Sequence, residues 1–287
     1  MWLRARLCAL LGVCSAGLWA QSFAANPLRL PQGNTIRLRA PGTAVHARMA
    51  ERTVPLYPEP DGTRSGLMPV GALQRPGTYS LEFLGDTEQV VKRITITVLN
   101  AKFPKQNIVL TKALAELQPE PGEMDTVGEF RATVSDQRLW KEPFELPVEG
   151  CRTSPFGARR YHNGKPTGNF HAGIDQQVAE GKPIHAIADG TVRLAGTFEL
   201  HGGTVGIDHG QGLLSIYLHQ SKLAVTAGTT VHKGDVIGYA GSTGRSTAPH
   251  LHWSIYVNGV PVNPQQWVKL KACSAPAKRR RHKPKAQ

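Results

Sequence analysis

Two short segments of the sequence carry side chains suited to ligating a divalent metal. His171-Ala172-Gly173-Ile174-Asp175 sets an imidazole and a carboxylate four residues apart, and Pro249-His250-Leu251-His252-Trp253 sets two imidazoles two apart. In an extended chain both separations are even, so each pair shares one face of a strand. A helix would also align the first pair, but Gly173 and Gly168 disfavour one. Leu251 and Trp253 then point the other way, into a core. Adjacent strands lie about 4.8 Å apart, so two of them can bring two imidazoles and a carboxylate to one point. Two His and one carboxylate, with a fourth position open, suit a catalytic zinc ion rather than a closed structural one. No thiolate is placed to close the site: Cys8 and Cys14 lie in an apolar N-terminal run, and Cys151 and Cys273 bracket the segment that holds the motifs. His46, His162, His185, His201, His209, His232 and His282 stand in polar or turn contexts without ligand spacing, and read as surface or hydrogen-bonding residues.

The elements that must position these groups are strands. Between 153 and 268, short β-like runs recur between the turn dipeptides Asp189-Gly190, Gly202-Gly203 and Asn258-Gly259, and few stretches could hold a helix longer than two turns. This predicts an all-β domain built from hairpins, spanning 151–273. Residues 26–100 alternate as well, at Thr35–Arg39, Thr78–Phe83 and Ile94–Val98, and read as a small β-sandwich-like module. That module lacks clustered His, Cys or acids and reads as a positioning or binding unit. A connector, 101–150, joins the two. Lys112–Leu117 suits a short helix ended by Pro119 and Pro121, and Gly128–Trp140 has partial helical spacing.

Composition narrows the class. The chain has 287 residues, 40% hydrophobic and 7% aromatic, with mean hydropathy -0.28. That excludes a multi-span membrane protein and fits two domains. The net charge of +13 is unevenly spread: eight charges lie from Lys269 onward and two are Arg4 and Arg6, so the body is nearly neutral. This is a tail rather than a groove-lining patch, and nucleic acid is not an expected partner. The tail, 274–287, suits anionic envelope polymers or lipid head groups, or is a solvated end. Arg4 and Arg6, the apolar run Leu7–Trp19 and Ser22-Phe23-Ala24 form a three-part signal-peptide pattern over 1–24. It predicts export to the periplasm and no transmembrane span in the mature chain; a retained anchor is the alternative. Cys151 and Cys273, an even pair in an oxidising compartment, are then expected to form a disulfide, with two free thiols as the alternative.

Taken together, Ser154-Pro155-Phe156-Gly157, the His171–Asp175 motif, Tyr217-Leu218-His219, Asp208-His209-Gly210-Gln211-Gly212, Thr243-Gly244, the Pro249–Trp253 motif and Val262-Asn263-Pro264 resemble the lysostaphin/LytM-type zinc peptidases, metallopeptidase family twenty-three. The stretch Val231–Gly238 is similar to that family's lipoyl-like half-barrel. The likeness runs from about Pro147 to Val268. A looser one, ending at Lys102-Phe103-Pro104, links the N-terminal module to some Gram-negative members. The resemblance implies an all-β fold with a lipoyl-like, duplicated half-barrel, and zinc bound by His171, Asp175 and His252. It makes His219 and His250 the catalytic pair, and peptidoglycan peptides the substrate of a D,D-endopeptidase. Ala248, Gln220 and Lys182 depart from the family's usual Gly, Leu and Thr, which bears on loop geometry and substrate fit rather than on the ligands. No HExxH motif supplies a glutamate base, so a histidine must move the proton. His250 is assigned to water activation and His219 to the developing oxyanion or leaving amine; the two roles are exchangeable at this level. Two other readings stay open: a non-catalytic LytM-like activator of envelope amidases, and a metal-dependent carboxypeptidase or protease for protein substrates.

Overall fold

The computed structural model describes residues 22–274. Residues 1–21 of the expected signal segment 1–24, and the expected tail beyond Ser274, lie outside them. Alternating side chains in the N-terminal strands give two sheets with one shared core. The first runs in the order Ala24–Asn26, Thr35–Pro41, Thr63–Pro69, Tyr57–Pro58. The second runs Arg29–Pro31, Val90–Leu99, Gly77–Leu84, His46–Met49, Arg52–Pro55. Ile36, Leu38 and Met68 from one sheet meet Ala47, Leu81, Phe83 and Ile96 from the other in a single buried cluster. The expected sandwich is present. It starts before residue 26: Ala24 already pairs with Arg39, and the Phe23 ring meets Phe83 edge-on at 5.1 Å.

The second domain is organised on an eight-stranded sheet. Its order is Arg152–Ser154, Ile174–Gln176, Leu251–Val257, Leu213–Gln220, Gly202–Gly210, Gly190–Phe198, Thr230–Val231, with Val260–Val262 added beside Leu251–Val257. The hairpin between those last two strands turns at Asn258-Gly259, both at positive φ (46° and 76°), as a two-residue type I′ turn requires. Every second residue of the central strands points into one core: Ile174, Tyr217, Trp253 and Ile255 pack with Ile184 and Ile237 of a small three-stranded sheet. The opposite face carries Leu214, Ile216, Leu218 and Tyr256, and the last three form part of the floor of a cleft. Cys151 and Cys273 are disulfide-bonded with Cα atoms 4.8 Å apart, and Arg152 bridges Ala272 beside them, so the ends of the domain are tied together. Among the described residues no helix is long and apolar enough to cross a membrane.

Two expectations are corrected here. The connector is more than a spacer. Its strand Lys105–Ile108 runs parallel to Arg159–His162, so it is built into the second domain. Its first helix, Lys112–Glu116, lies where expected, with the Thr111 hydroxyl accepting from Leu114 N–H. The second is Glu123–Ala132, not Gly128–Trp140. It starts earlier because Gly122 takes the left-handed cap and Glu123 and Asp125 favour the positive end of the helix. It ends at extended Thr133 because Val127 and Phe130 have by then spent its apolar face on the sheet.

The second correction concerns the first motif. His171 and Asp175 do not share a strand: Lys165–Phe170 ends before the histidine, residues 171–173 bend, and Ile174–Gln176 begins a new strand. The bend is possible because Gly173 has no side chain. A Cβ there would sit 2.2 Å from the Trp253 carbonyl oxygen and 2.3 Å from Ser254 Oγ.

Candidate metal centre

The bend and the strand pairing together make a three-atom ligand set. Asp175 lies directly opposite His252 in the antiparallel ladder, and the neighbouring residues Ile174, Gln176, Leu251 and Trp253 are turned into the core. Alternation therefore presents Asp175 and His252 on the cleft face. His171 reaches them from the bend, its backbone held by Ala158 and Gly157. Asp175 Oδ1 lies 2.9 Å from His171 Nε2 and 2.9 Å from His252 Nδ1, and those two nitrogens are 2.9 Å from each other.

The remaining ring nitrogens decide what these atoms can do. His171 Nδ1 lies 2.9 Å from the Pro155 carbonyl oxygen, which can only accept, so Nδ1 carries the proton and Nε2 a lone pair. His252 Nε2 can donate to Ser254 Oγ at 3.1 Å, which frees Nδ1 in the same way. A nitrogen lone pair from each imidazole and a carboxylate oxygen thus face one another at close range, an arrangement that a divalent cation resolves. The charge states agree. Burial works to raise the Asp175 carboxyl, but His171 and His252 hold it well below the usual carboxylate range. Burial presses His252 down to about 4, against the opposing pull of the Asp175 carboxylate. Asp175 and His252 are thereby held in ligand-ready form at neutral pH. Arg160 fixes the carboxylate from behind: its Nη2 is 3.3 Å from Asp175 Oδ2, and its Nη1 donates to Gln106 Oε1 at 2.8 Å.

His219 and His250 stand beside this set. His219 would point into the core if Leu213–Gln220 alternated without interruption, since Leu213, Ser215 and Tyr217 do. A register shift against Gly202–Gly210 breaks the alternation, and His219 sits at φ 61°, in the left-handed region. Such a bulge re-aims a side chain, and a non-glycine residue there carries backbone strain. The ring now faces the cleft, with its centroid 6.2 Å from that of His252 and 5.1 Å from that of His250. His250 precedes Leu251–Val257 and bridges Gly241; its Nε2 is 3.8 Å from Asp175 Oδ1. Both rings have Nδ1–H committed to a backbone carbonyl, Thr243 for His219 and Ala248 for His250, each at 2.8 Å. Each therefore presents Nε2 as a lone pair. Burial, then the charge of His252 and His250, lowers the His219 imidazole to about 3.

All five residues named from the sequence line one cleft of about 880 Å³. Reasoning from motifs missed Arg160, Gln106 and the whole connector wall, which includes Leu110, Met124 and Val127. The only sequence signal for them was the helical spacing of the connector, read in the wrong register. Two histidines read as bland, His162 and His201, also line the cleft; His201 Nδ1 is paired with buried Glu123. His209 is buried and hydrogen-bonded to the Asp189 carbonyl and Ser215 Oγ, 2.8 Å each, as its reading implied. Of the departures from the family pattern, Ala248 supplies its carbonyl to His250. Gln220 is buried, with its carbonyl accepting from Thr243 Oγ1, and Lys182 accepts from Ala240 N–H through its backbone.

Comparisons with known proteins follow the same boundaries. Over 112 residues the chain is 44% identical to the DD-carboxypeptidase/endopeptidase Mpg of Neisseria meningitidis, a match over 39% of this chain and 26% of that protein. Over 126 residues it is 37% identical to the peptidoglycan DD-endopeptidase ShyA of Vibrio cholerae, covering 44% of this chain and 29% of that one. The chain thus spans between a quarter and a third of the length of these curated relatives. A solved structure described as a peptidase M23 from Pseudomonas aeruginosa aligns over 82% of this chain and 93% of its own, with 26% identity and a TM-score of 0.62. That alignment takes in more than the second domain. The family model described as peptidase family M23 matches residues 169–264, the stretch from just before His171 to the end of Val260–Val262 and the turn after it. Residues 169–264 of the second domain thus match the peptidase family M23 domain.

Proposed function

We propose that this protein is a zinc-dependent endopeptidase that hydrolyses peptide crosslinks or stem peptides of peptidoglycan in the cell envelope. The observation that carries the reading is the ligand triangle of His171, Asp175 and His252, with two further imidazoles presenting lone pairs beside it. Its donor set, two nitrogens and one carboxylate oxygen without thiolate, is that of a catalytic zinc site. When bound, zinc supplies Lewis acidity, polarising a carbonyl and making water acidic enough to act near neutral pH. The family match and relatives named as DD-endopeptidases support peptidoglycan as the substrate class. D-alanyl to diaminopimelate bonds are the bonds we assign to it.

The chain's own residues divide the remaining work. His250 Nε2, beside the ligand set and open to the cleft, accepts the proton of the attacking water. His219, held at its Nδ1 and buried, takes up a solvent proton at Nε2 only as negative charge develops on the substrate, and that N–H then bonds the oxyanion or passes its proton to the leaving amine. Arg160 keeps Asp175 Oδ1 turned to the metal by holding Oδ2. The leading alternative, a non-catalytic activator of amidases, has no need of a complete ligand set. Metal stripping and reconstitution separate the two. Protein reloaded with one equivalent of zinc should digest isolated sacculi, and the stripped protein should not. Failure to retain metal, with no digestion at any zinc level, would favour the activator.

A further inference from the structure

The cleft has an uneven charge. Among the described residues Asp175 is its sole acidic lining residue, whereas Arg131, Arg160 and Arg245 contribute three guanidiniums. Two of the three are already engaged. Arg160 holds Asp175, and Arg131 donates to the Val127 carbonyl at 3.2 Å and lies over the Tyr256 ring at 5.9 Å. Arg245 differs. Its backbone N–H is fixed to the Leu200 carbonyl at 3.0 Å, which anchors the residue, while its exposed side chain forms no ion pair among the described residues: the nearby Glu123 carboxylate acts on it through its charge but is already engaged by His201 and by the Leu200 and His201 N–H groups. It stands on the loop that carries His250, one residue before Ser246, whose hydroxyl lies 3.2 Å from His250 Nδ1. Across the cleft is His162, depressed by burial and by the charge of Arg245 and Arg160. Arg245 thus faces the open space beside the reacting groups without an ion-pair partner among the described residues.

Resting on the peptidase reading above, we propose that Arg245 is the specificity-determining residue of this cleft: its guanidinium receives a carboxylate carried by the substrate peptide beside the bond that is cut. A planar fork of donors suits a carboxylate, and an ammonium in its place would offer a point charge only. The carboxylate could be the side-chain group of an acidic or diamino-acid residue within the peptide, or the terminal carboxylate of a short stem.

Equilibrium binding separates this proposal from the question of turnover. Zinc-loaded full-length protein is titrated by calorimetry with uncleaved stem peptides in three forms: unmodified, with the side-chain carboxylate amidated, and with the C-terminus amidated. The wild type should bind one amidated form at least tenfold more weakly, and which one names the source of the anion. Arg245→Gln should bind the unmodified peptide about as weakly as the wild type binds that amidated form, with no further loss on amidation. Arg245→Lys should recover part of the preference. A wild type indifferent to both amidations overturns the proposal, as does an Arg245→Gln protein that keeps the full preference. Sacculus digestion, measured in parallel, reports on the peptidase reading alone.

Discussion

Arg160 and the Pro155 carbonyl serve the same end from two sides: each holds the far atom of a candidate ligand so that the near atom faces the point shared by His171, Asp175 and His252. Residues that orient ligands typically matter 10- to 100-fold for metal affinity. Arg160→Met should therefore weaken zinc binding by about that factor in chelator competition, without unfolding the domain; unchanged affinity would remove Arg160 from the site. His171→Ala should lose the metal outright. His219→Ala should keep it and lose turnover by about 10²- to 10⁴-fold, the usual weight of a proton-transfer group. Metal content and rate measured on the same preparations distinguish ligand from proton carrier. If His219→Ala lost the metal, the division of the five residues would be wrong.

At the scale of elements, Gly173 and His209 give sharper tests. Gly173→Ala drives a methyl into the Trp253 carbonyl and Ser254. Overpacking of this kind costs about 1–3 kcal/mol, and it should separate Ile174–Gln176 from Leu251–Val257 enough to weaken zinc binding as well. Thermal unfolding and chelator competition would report both; a variant with wild-type values in each would contradict the close-approach argument. His209 is buried neutral, its imidazole lowered by burial to about 4 from 6.5. Between pH 6.5 and 4 the unfolded chain binds a proton that the folded one refuses. The stability tied to this residue is thus complete above pH 6.5 and falls by up to about 3 kcal/mol as the pH drops to 4. Denaturant unfolding across that range should show a shallower pH slope for His209→Gln than for wild type, and an unchanged slope would refute the assignment.

The same elements show what could be read in advance. Alternation at Thr35–Arg39 and Ile94–Val98, and the 250/252 spacing, announced strands and a shared face because side chains in a strand repeat every two residues. The His171–Asp175 pair was rightly joined but for the wrong reason, since the bend at Gly173 depends on a backbone eighty residues later in the chain. His219 was legible only through family likeness. Its aim depends on a bulge, and no local pattern around Tyr217-Leu218-His219 declares one. The connector wall was illegible for a related reason: Lys105–Ile108 becomes a strand only by pairing with Arg159–His162.

On the scale of the whole molecule, the two domains meet away from the chemistry. Thr35 N–H donates to Gln266 Oε1 and Gln266 Nε2 donates to the Thr35 carbonyl, each at 2.7 Å, while Asn258 Nδ2 donates to the Leu67 carbonyl at 2.8 Å. Among the described residues, none from 22 to 105 lines the cleft. The sandwich therefore sits on the second domain without covering its centre, and the connector, not the sandwich, shapes access. The Cys151–Cys273 bond spans 122 positions. Closing a loop of that length restricts the unfolded chain by about 3–5 kcal/mol in the chain-entropy description. The double variant Cys151→Ser, Cys273→Ser should unfold at correspondingly lower denaturant; an unmoved midpoint would mean the bond adds no stability.

The most direct test of the central claim is mass spectrometry of the muropeptides released when zinc-loaded protein meets isolated sacculi. The wild type should convert crosslinked dimers into monomers with a new free amine on the side chain that had been joined, and His250→Ala should leave the dimers intact while still holding its zinc. Dimers untouched by the metal-loaded wild type, or cut equally well by His250→Ala, would contradict it.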